Sequence, residues 1–155
     1  MEYIQSDGGQ KIILDTEFKD THSIEVDIQY VETTGYQYFF GPSFNNGNWF
    51  GQNRGVYTIM DGAGGSVSSL LRKTLRYSIE NSRAYLRVDD TQTYFAFSVA
   101  AGELTFFGNR MQNTEASSCR VFRLKVYDAG TLIYDLIPCY RKSDGKPGMW
   151  DVVRS

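Results

Sequence analysis

The 155-residue sequence has little of what many functional classes require. Histidine occurs once, at His22; a single imidazole excludes a multi-histidine zinc site and leaves any Ser-His-Asp arrangement dependent on that one residue. His22 lies in a polar turn, Lys19-Asp20-Thr21-His22-Ser23, and is expected to be solvated. Positive charge is not in excess, since 16 Lys and Arg face 18 Asp and Glu for a formal net charge of -2. No summed positive field then gathers a phosphate backbone, and nucleic acid is not an expected partner. No run approaches the ~20 apolar residues of a membrane-spanning helix. The opening Met1-Glu2-Tyr3-Ile4-Gln5-Ser6-Asp7-Gly8-Gly9 lacks both the basic segment and the apolar stretch of an export signal. The expectation is a soluble chain with no signal peptide and no membrane partner, which leaves room for an extracellular parent protein.

Helical periodicity is equally scarce, and alternation takes its place. Ser23-Ile24-Glu25-Val26-Asp27-Ile28-Gln29-Tyr30 puts Ile24, Val26, Ile28 and Tyr30 on one face, the pattern of a sandwich strand with one wet side. Eleven Tyr and ten Phe suit pleated, half-buried surfaces. Further strands are predicted over 11–14, 36–40, 48–52, 56–60, 74–80, 84–88, 93–97, 103–108, 119–127 and 131–140, separated by turns rich in Gly, Asn, Asp and Ser. Only Ser66 to Arg72 suggests a helical turn, preceded by an exposed loop over 62–66. Many short strands without helices imply one all-β sandwich or barrel, a single domain over 1–155.

The last hairpin can be registered from its residues. Asp128-Ala129-Gly130 fits a three-residue connection with Gly in the left-handed position. That loop pairs Tyr127 with Thr131, Leu124 with Tyr134, Phe122 with Leu136 and Arg123 with Asp135, whereas a two-residue loop sets Asp135 against Leu124 and scatters the apolar residues across faces. The same register sets Cys119 opposite Cys139, either as a cross-strand disulfide or as two separate thiols.

Catalytic constellations are incomplete. Glu25-Val26-Asp27-Ile28-Gln29 resembles the Glu-x-Asp-x-Glu strand of retaining β-glucanases, a resemblance that would make Glu25 the nucleophile and Asp27 its partner. The acid/base position holds Gln29, and an amide cannot donate and recover the proton that a second carboxylate must. The solvent side of an ordinary alternating strand gives the same pattern. The Gly62 to Gly65 loop lacks the Gly-Lys-Ser/Thr ending of a phosphate cradle. Asp61, Asp89 and Asp90 offer loop oxygens but no spaced calcium ligand set. No catalytic residue, metal or cofactor is expected.

Binding chemistry has better support. Tyr36, Tyr38, Trp49, Phe50 and Tyr57 fall in a stretch where Asn45, Asn46, Asn48, Gln52, Asn53 and Arg54 supply donors and acceptors. Aromatic faces stack on sugar C–H groups while amides take the hydroxyls. Tyr36, Trp49, Asn53 and Tyr57 are the candidate carbohydrate-binding set, against the alternative that aromatics at alternating strand positions are core.

The run from Phe122 through Gly145, together with Tyr3-Ile4-Gln5-Ser6-Asp7-Gly8-Gly9-Gln10 and Asp15-Thr16, resembles concanavalin A-like, laminin G-like domains of bacteriophage structural proteins and gut-bacterial surface proteins. The middle is similar in pattern only, through Ile24 to Tyr30 and Phe39-Phe40-Gly41. The family continues past Gly148-Met149-Trp150-Asp151 into a further Gly and aromatic ending, where this chain reads Val152-Val153-Arg154-Ser155, which implies a trimmed end or a short last strand. The resemblance implies a two-sheet antiparallel jelly-roll sandwich with its final strand beside the first. It also implies a non-enzymatic module for carbohydrate recognition or adhesion in a virion or on a cell surface. The implied partners are a glycan or cell-surface polysaccharide and other structural protein chains. The alternatives are a purely structural assembly domain and a divergent glycosidase.

Overall fold

The computed structural model describes residues 1–7, 11–42, 50–59, 63–96, 102–107 and 118–155. Their chain forms two antiparallel sheets and, among the described residues, no helix. In order the strands are β1 (Ile4–Asp7), β2 (Ile12–Glu17), β3 (His22–Tyr30), β4 (Tyr36–Pro42), β5 (Phe50–Asn53), β6 (Val56–Ile59) and β7 (Ala63–Ser68). They continue as β8 (Lys73–Glu80), β9 (Arg83–Val88), β10 (Thr91–Ala96), β11 (Glu103–Phe106), β12 (Ser118–Asp128), β13 (Thr131–Tyr140) and β14 (Pro147–Asp151). One sheet, here sheet A, runs β10-β9-β8-β3-β12-β13-β14 with β1 also on β12; sheet B runs β2-β11-β4-β5-β6-β7. The expected all-β, two-sheet antiparallel sandwich is the observed architecture.

Alternation builds the core. On β3 every second residue from His22 to Tyr30 is buried and the residues between are half-exposed. Ile24, Val26, Ile28 and Tyr30 meet Leu75 and Tyr77 of β8 and Val121, Leu124 and Val126 of β12 in one apolar layer. Sheet B answers with rings: Phe40 stacks on Phe50 at 4.7 Å and stands edge-on to Tyr77 at 5.0 Å, while Phe39 lies 5.6 Å from Phe106. Offset and edge-to-face contacts of this kind add to the burial of the rings themselves.

Turn chemistry sets the phase of each strand. Asn81 and Ser82 both take left-handed φ, 51° and 58°, so a two-residue turn joins β8 to β9 and closes on Glu80 opposite Arg83. Arg54 and Gly55 do the same between β5 and β6. The segment expected as loop and helical turn is strand β7 over Ala63–Ser68, and the turn comes only after it.

The last hairpin departs from the expected register. Ala129 and Gly130, at φ 48° and 82°, form a two-residue turn that closes on Asp128 opposite Thr131. A bulge at Ile133 then shifts the pairing, giving Val126 opposite Tyr134, Lys125 opposite Asp135 and Leu124 opposite Leu136. The bulge removes the objection to the shorter loop, because it returns the apolar residues to one face. Arg123 nevertheless reaches Asp135 diagonally with two parallel bonds of 2.8 and 2.6 Å. The expected charge pair therefore forms on a register that was not expected.

A second bulge, between Val121 and Arg123, reverses the inward phase of β12. Below it β13 no longer accompanies β12, and β1 takes its place with Ser6 opposite Cys119. Cys139 lies instead opposite Gly148 of β14. Neither cysteine is in a disulfide, Cys119 being wholly buried and Cys139 partly so, which corrects their expected juxtaposition. The final strand is hydrogen-bonded to β13 rather than to β1. It shares with β1 and β2 an open cleft lined by Ile4, Ile12, Phe107 and Met149.

Candidate functional site

The sequence-predicted set is divided. Tyr36 and Asn53 are directly opposite each other on β4 and β5, half-buried on the outer face of sheet B. The Asn53 Oδ1 is buried without a hydrogen-bond partner among the described residues. Trp49, with Asn45, Asn46 and Asn48, lies outside the described residues. Tyr57 belongs to the opposite face of its strand. It is 0% exposed, edge-on to Tyr30 at 6.0 Å, with its hydroxyl 2.8 Å from the Leu71 carbonyl and 3.1 Å from that of Ile28. Burial pushes its phenol far above the ordinary tyrosine range. A ring with no solvent-facing surface offers no platform to a sugar, so Tyr57 is a core residue and leaves the candidate set. Gln52 likewise points inward, accepting the Gly55 N–H at 2.8 Å.

The carboxylates singled out on β3 stand on the outer face of sheet A as ion-pair partners. Glu25 is shared by Arg76 and Lys125, each at 3.2 Å. Asp27 is held by Arg72 through Nε at 3.0 Å and Nη2 at 2.7 Å, and the same guanidinium lies 3.6 Å from the Phe122 ring centroid. The Gln29 amide donates to the Leu70 carbonyl at 2.8 Å. Each group thus has a structural occupation of the kind a wet sheet face acquires.

His22 is buried at 1% exposure, not solvated as its turn suggested. The Thr21 hydroxyl and Lys19 ammonium bind the Asp128 carboxylate at 2.5 and 3.0 Å, and the Ala129 N–H donates to the Thr21 carbonyl, so the β12–β13 tip closes over the ring. His22 Nδ1 accepts the Lys19 N–H at 3.3 Å, and Nε2 has no hydrogen-bond partner among the described residues, with Asp128 Oδ2 3.9 Å away. Desolvation holds its pKa below the ordinary histidine range, partly opposed by Asp128. Among the described residues no three His, Cys, Asp or Glu side chains gather as a metal cluster. Asp89 is paired with Lys73 at 2.5 Å.

A candidate site that the sequence did not single out lies on the outer face of sheet A, where two rows of side chains cross the strands. One row is continuous over six strands: Gln92, Arg87, Arg76, Glu25, Lys125 and Asp135 are successive cross-strand neighbours. The adjacent row holds Tyr94 opposite Tyr85, Tyr85 opposite Ser78, and Ser23 opposite Tyr127. Ser78 and Ser23 are next in line beyond the Tyr77 and Ile24 pair. Two small residues therefore sit between Tyr85 and Tyr127, and the sheet has a trough where its neighbours have bulk. Three strand spacings separate these tyrosines, about 14 Å at the usual interval between strands. The resulting open groove of about 280 Å³ is lined by both tyrosines, the serines, Glu25, Arg76, Arg87 and Gln92. Tyr94, 58% exposed, extends the wall, its ring 6.0 Å from that of Tyr85 and covered on one side by the Arg83 guanidinium at 4.9 Å.

This groove was missed because its residues come from five strands scattered over the chain. A signal did exist: the turns at Asn81-Ser82 and Asp89-Asp90, read as two-residue hairpin loops, align Ser78, Tyr85 and Tyr94 in one row. Chemically, the trough offers ring faces, hydroxyls, an amide and guanidinium donors on one solvent-open surface. No protein-family model matches the chain, and no curated protein matches it.

Proposed function

We propose that this chain is a non-enzymatic carbohydrate-recognition module that binds its glycan in the groove on the outer face of sheet A. The observation that carries the reading is the trough itself: two tyrosines flank a serine floor beside a row of charged and amide groups. Pyranose rings need flat apolar faces together with hydrogen-bonding side chains, and an open, rigid sheet supplies both with little ordering cost. We read the sandwich as a concanavalin A-like jelly roll, in keeping with the resemblance at its two ends, and its biological setting as attachment to a polysaccharide by a phage appendage or bacterial surface protein. Shallow sites of this kind act through many linked copies, where avidity replaces single-site affinity.

Glycan-array binding by the purified domain tests the reading. Loss of signal in Tyr85→Ala with retained folding supports the groove. Loss in Trp49→Ala with full binding by Tyr85→Ala moves recognition away from the groove to the stretch singled out in the sequence, and the absence of any glycan signal removes the carbohydrate reading.

A second reading, an assembly domain, is favoured by one feature. Trp150 on β14 is 55% exposed opposite Ile137 at 37%, with Val152 and Val153 exposed just beyond. Apolar residues in company on a sheet edge are a usual mark of protein contact. Concentration-dependent oligomers abolished by Trp150→Ser, without glycan binding, would establish it.

A further inference from the structure

Arg76 and Arg87 are direct cross-strand neighbours on β8 and β9, both exposed on the groove's edge. Like charges in such positions repel, since their Cβ atoms stand only about 5 Å apart. Each guanidinium has a partner of its own. Arg76 donates through Nε to Glu25 at 3.2 Å, and Arg87 donates through Nε to the Asp89 carbonyl at 3.1 Å, with Asp90 no nearer than 3.9 Å. Glu25 cannot neutralise the pair, because it already serves Lys125. The row therefore sets Arg87, Arg76 and Lys125 against Glu25 and Asp135, and Asp135 is already held by Arg123, so the arginine end of the row keeps the excess positive charge next to a tyrosine-lined trough.

We propose that the groove selects an acidic sugar, a uronic-acid residue whose carboxylate bridges Arg76 and Arg87 while its ring lies against Tyr85. This rests on the carbohydrate reading of the same groove and adds its ligand class. The chemistry follows from the parts: guanidinium forks match carboxylate oxygens in plane and spacing. An anion seated between the two arginines also removes their mutual repulsion, a gain that a neutral sugar cannot supply. The hydroxyls of Ser78 and Ser23 and the Gln92 amide then face the remaining sugar oxygens.

The test is calorimetric titration of the intact chain with an oligogalacturonide, with the same oligosaccharide after reduction of its carboxylates to alcohols, and with dextran sulfate. The oligogalacturonide is expected to bind at least about tenfold more tightly than its reduced form, and Arg76→Gln or Arg87→Gln each to lose about tenfold. Arg141→Gln, which removes a cation paired with Asp144 far along the chain, is the charge control and should bind as the parent does. Equal binding of the acidic and reduced forms overturns the acidic-sugar inference and leaves the carbohydrate reading standing; binding of neither also overturns the acidic-sugar inference, and the glycan array then decides the carbohydrate reading separately. Dextran sulfate bound as tightly, with equal losses in all three variants, reduces the effect to diffuse charge and also overturns it. Since the comparison of the two oligosaccharides uses the parent chain, a variant that folds poorly leaves the test decisive.

Discussion

Tyr57 on sheet B and Tyr85 on sheet A are both strand tyrosines, yet the first is sealed in the core and the second stands in the wall of an open groove. Their neighbours explain the difference. Ala84 and Leu86 fill the inward positions beside Tyr85, so its ring must face out, whereas Tyr57 is itself the inward residue, opposite buried Gln52. A tyrosine can serve either side because its ring is apolar and its hydroxyl accommodates a carbonyl or water equally. Aromatic content therefore says little about recognition until the phase of each strand is known, and phase is set at turns and bulges.

The contrast can be broken most forcefully from the inside. Phe40→Ala, which empties a ring from the cluster with Phe50, Tyr77 and Phe106, should cost about 3–5 kcal/mol in chemical denaturation. Tyr85→Ala, on the wet face, should stay within about 0.5 kcal/mol of the parent while binding is lost. Tyr57→Phe keeps the ring and strips the hydroxyl from the Ile28 and Leu71 carbonyls, for an expected loss of about 1–2 kcal/mol with glycan binding unchanged. If binding falls with Tyr57→Phe and survives Tyr85→Ala, the division of roles between the two tyrosines is reversed.

Charge on the outer face sharpens the comparison further. Asp135→Asn breaks the paired bonds from Arg123, and because that guanidinium is half exposed the loss should be only about 1 kcal/mol. The Arg123 bonds hold the Asp135 carboxyl below the ordinary carboxylate range. Its contribution is thus complete above the unfolded value of about 3.9 and disappears as pH falls through the lower folded value. His22 shows the same sign in a higher window. Its folded pKa is lowered by burial, so stability is full above about 6.5 and declines as acid protonates the unfolded chain first. Thermal melts between pH 7 and pH 5 should show this decline in the parent and a flatter profile in His22→Gln; an unchanged slope would place the titrating group elsewhere.

Much of this molecule was legible before its coordinates. The alternation over 23–30, a hairpin turn with Gly130 in the left-handed position and the Arg123–Asp135 pair follow from local pattern and charge, but the two-residue length of that turn and the bulge after it do not. The candidate site was less so. Tyr36 and Asn53 do share a row, but Tyr57 faces the other way and the groove's walls come from β3, β8, β9, β10 and β12. Nothing adjacent in sequence marks Ser23 and Ser78 as the gap between Tyr85 and Tyr127.

The order of apolar and polar residues was enough to decide that this chain makes two antiparallel layers, because a period of two is a property of each strand alone. Only the folded arrangement decided that Cys119 meets Ser6 rather than Cys139, and that β12 changes its inward phase at Phe122. A bulge costs one residue's pairing and is stable only against the particular strands beside it. Such choices belong to the energetics of the whole sheet, not to any segment of it.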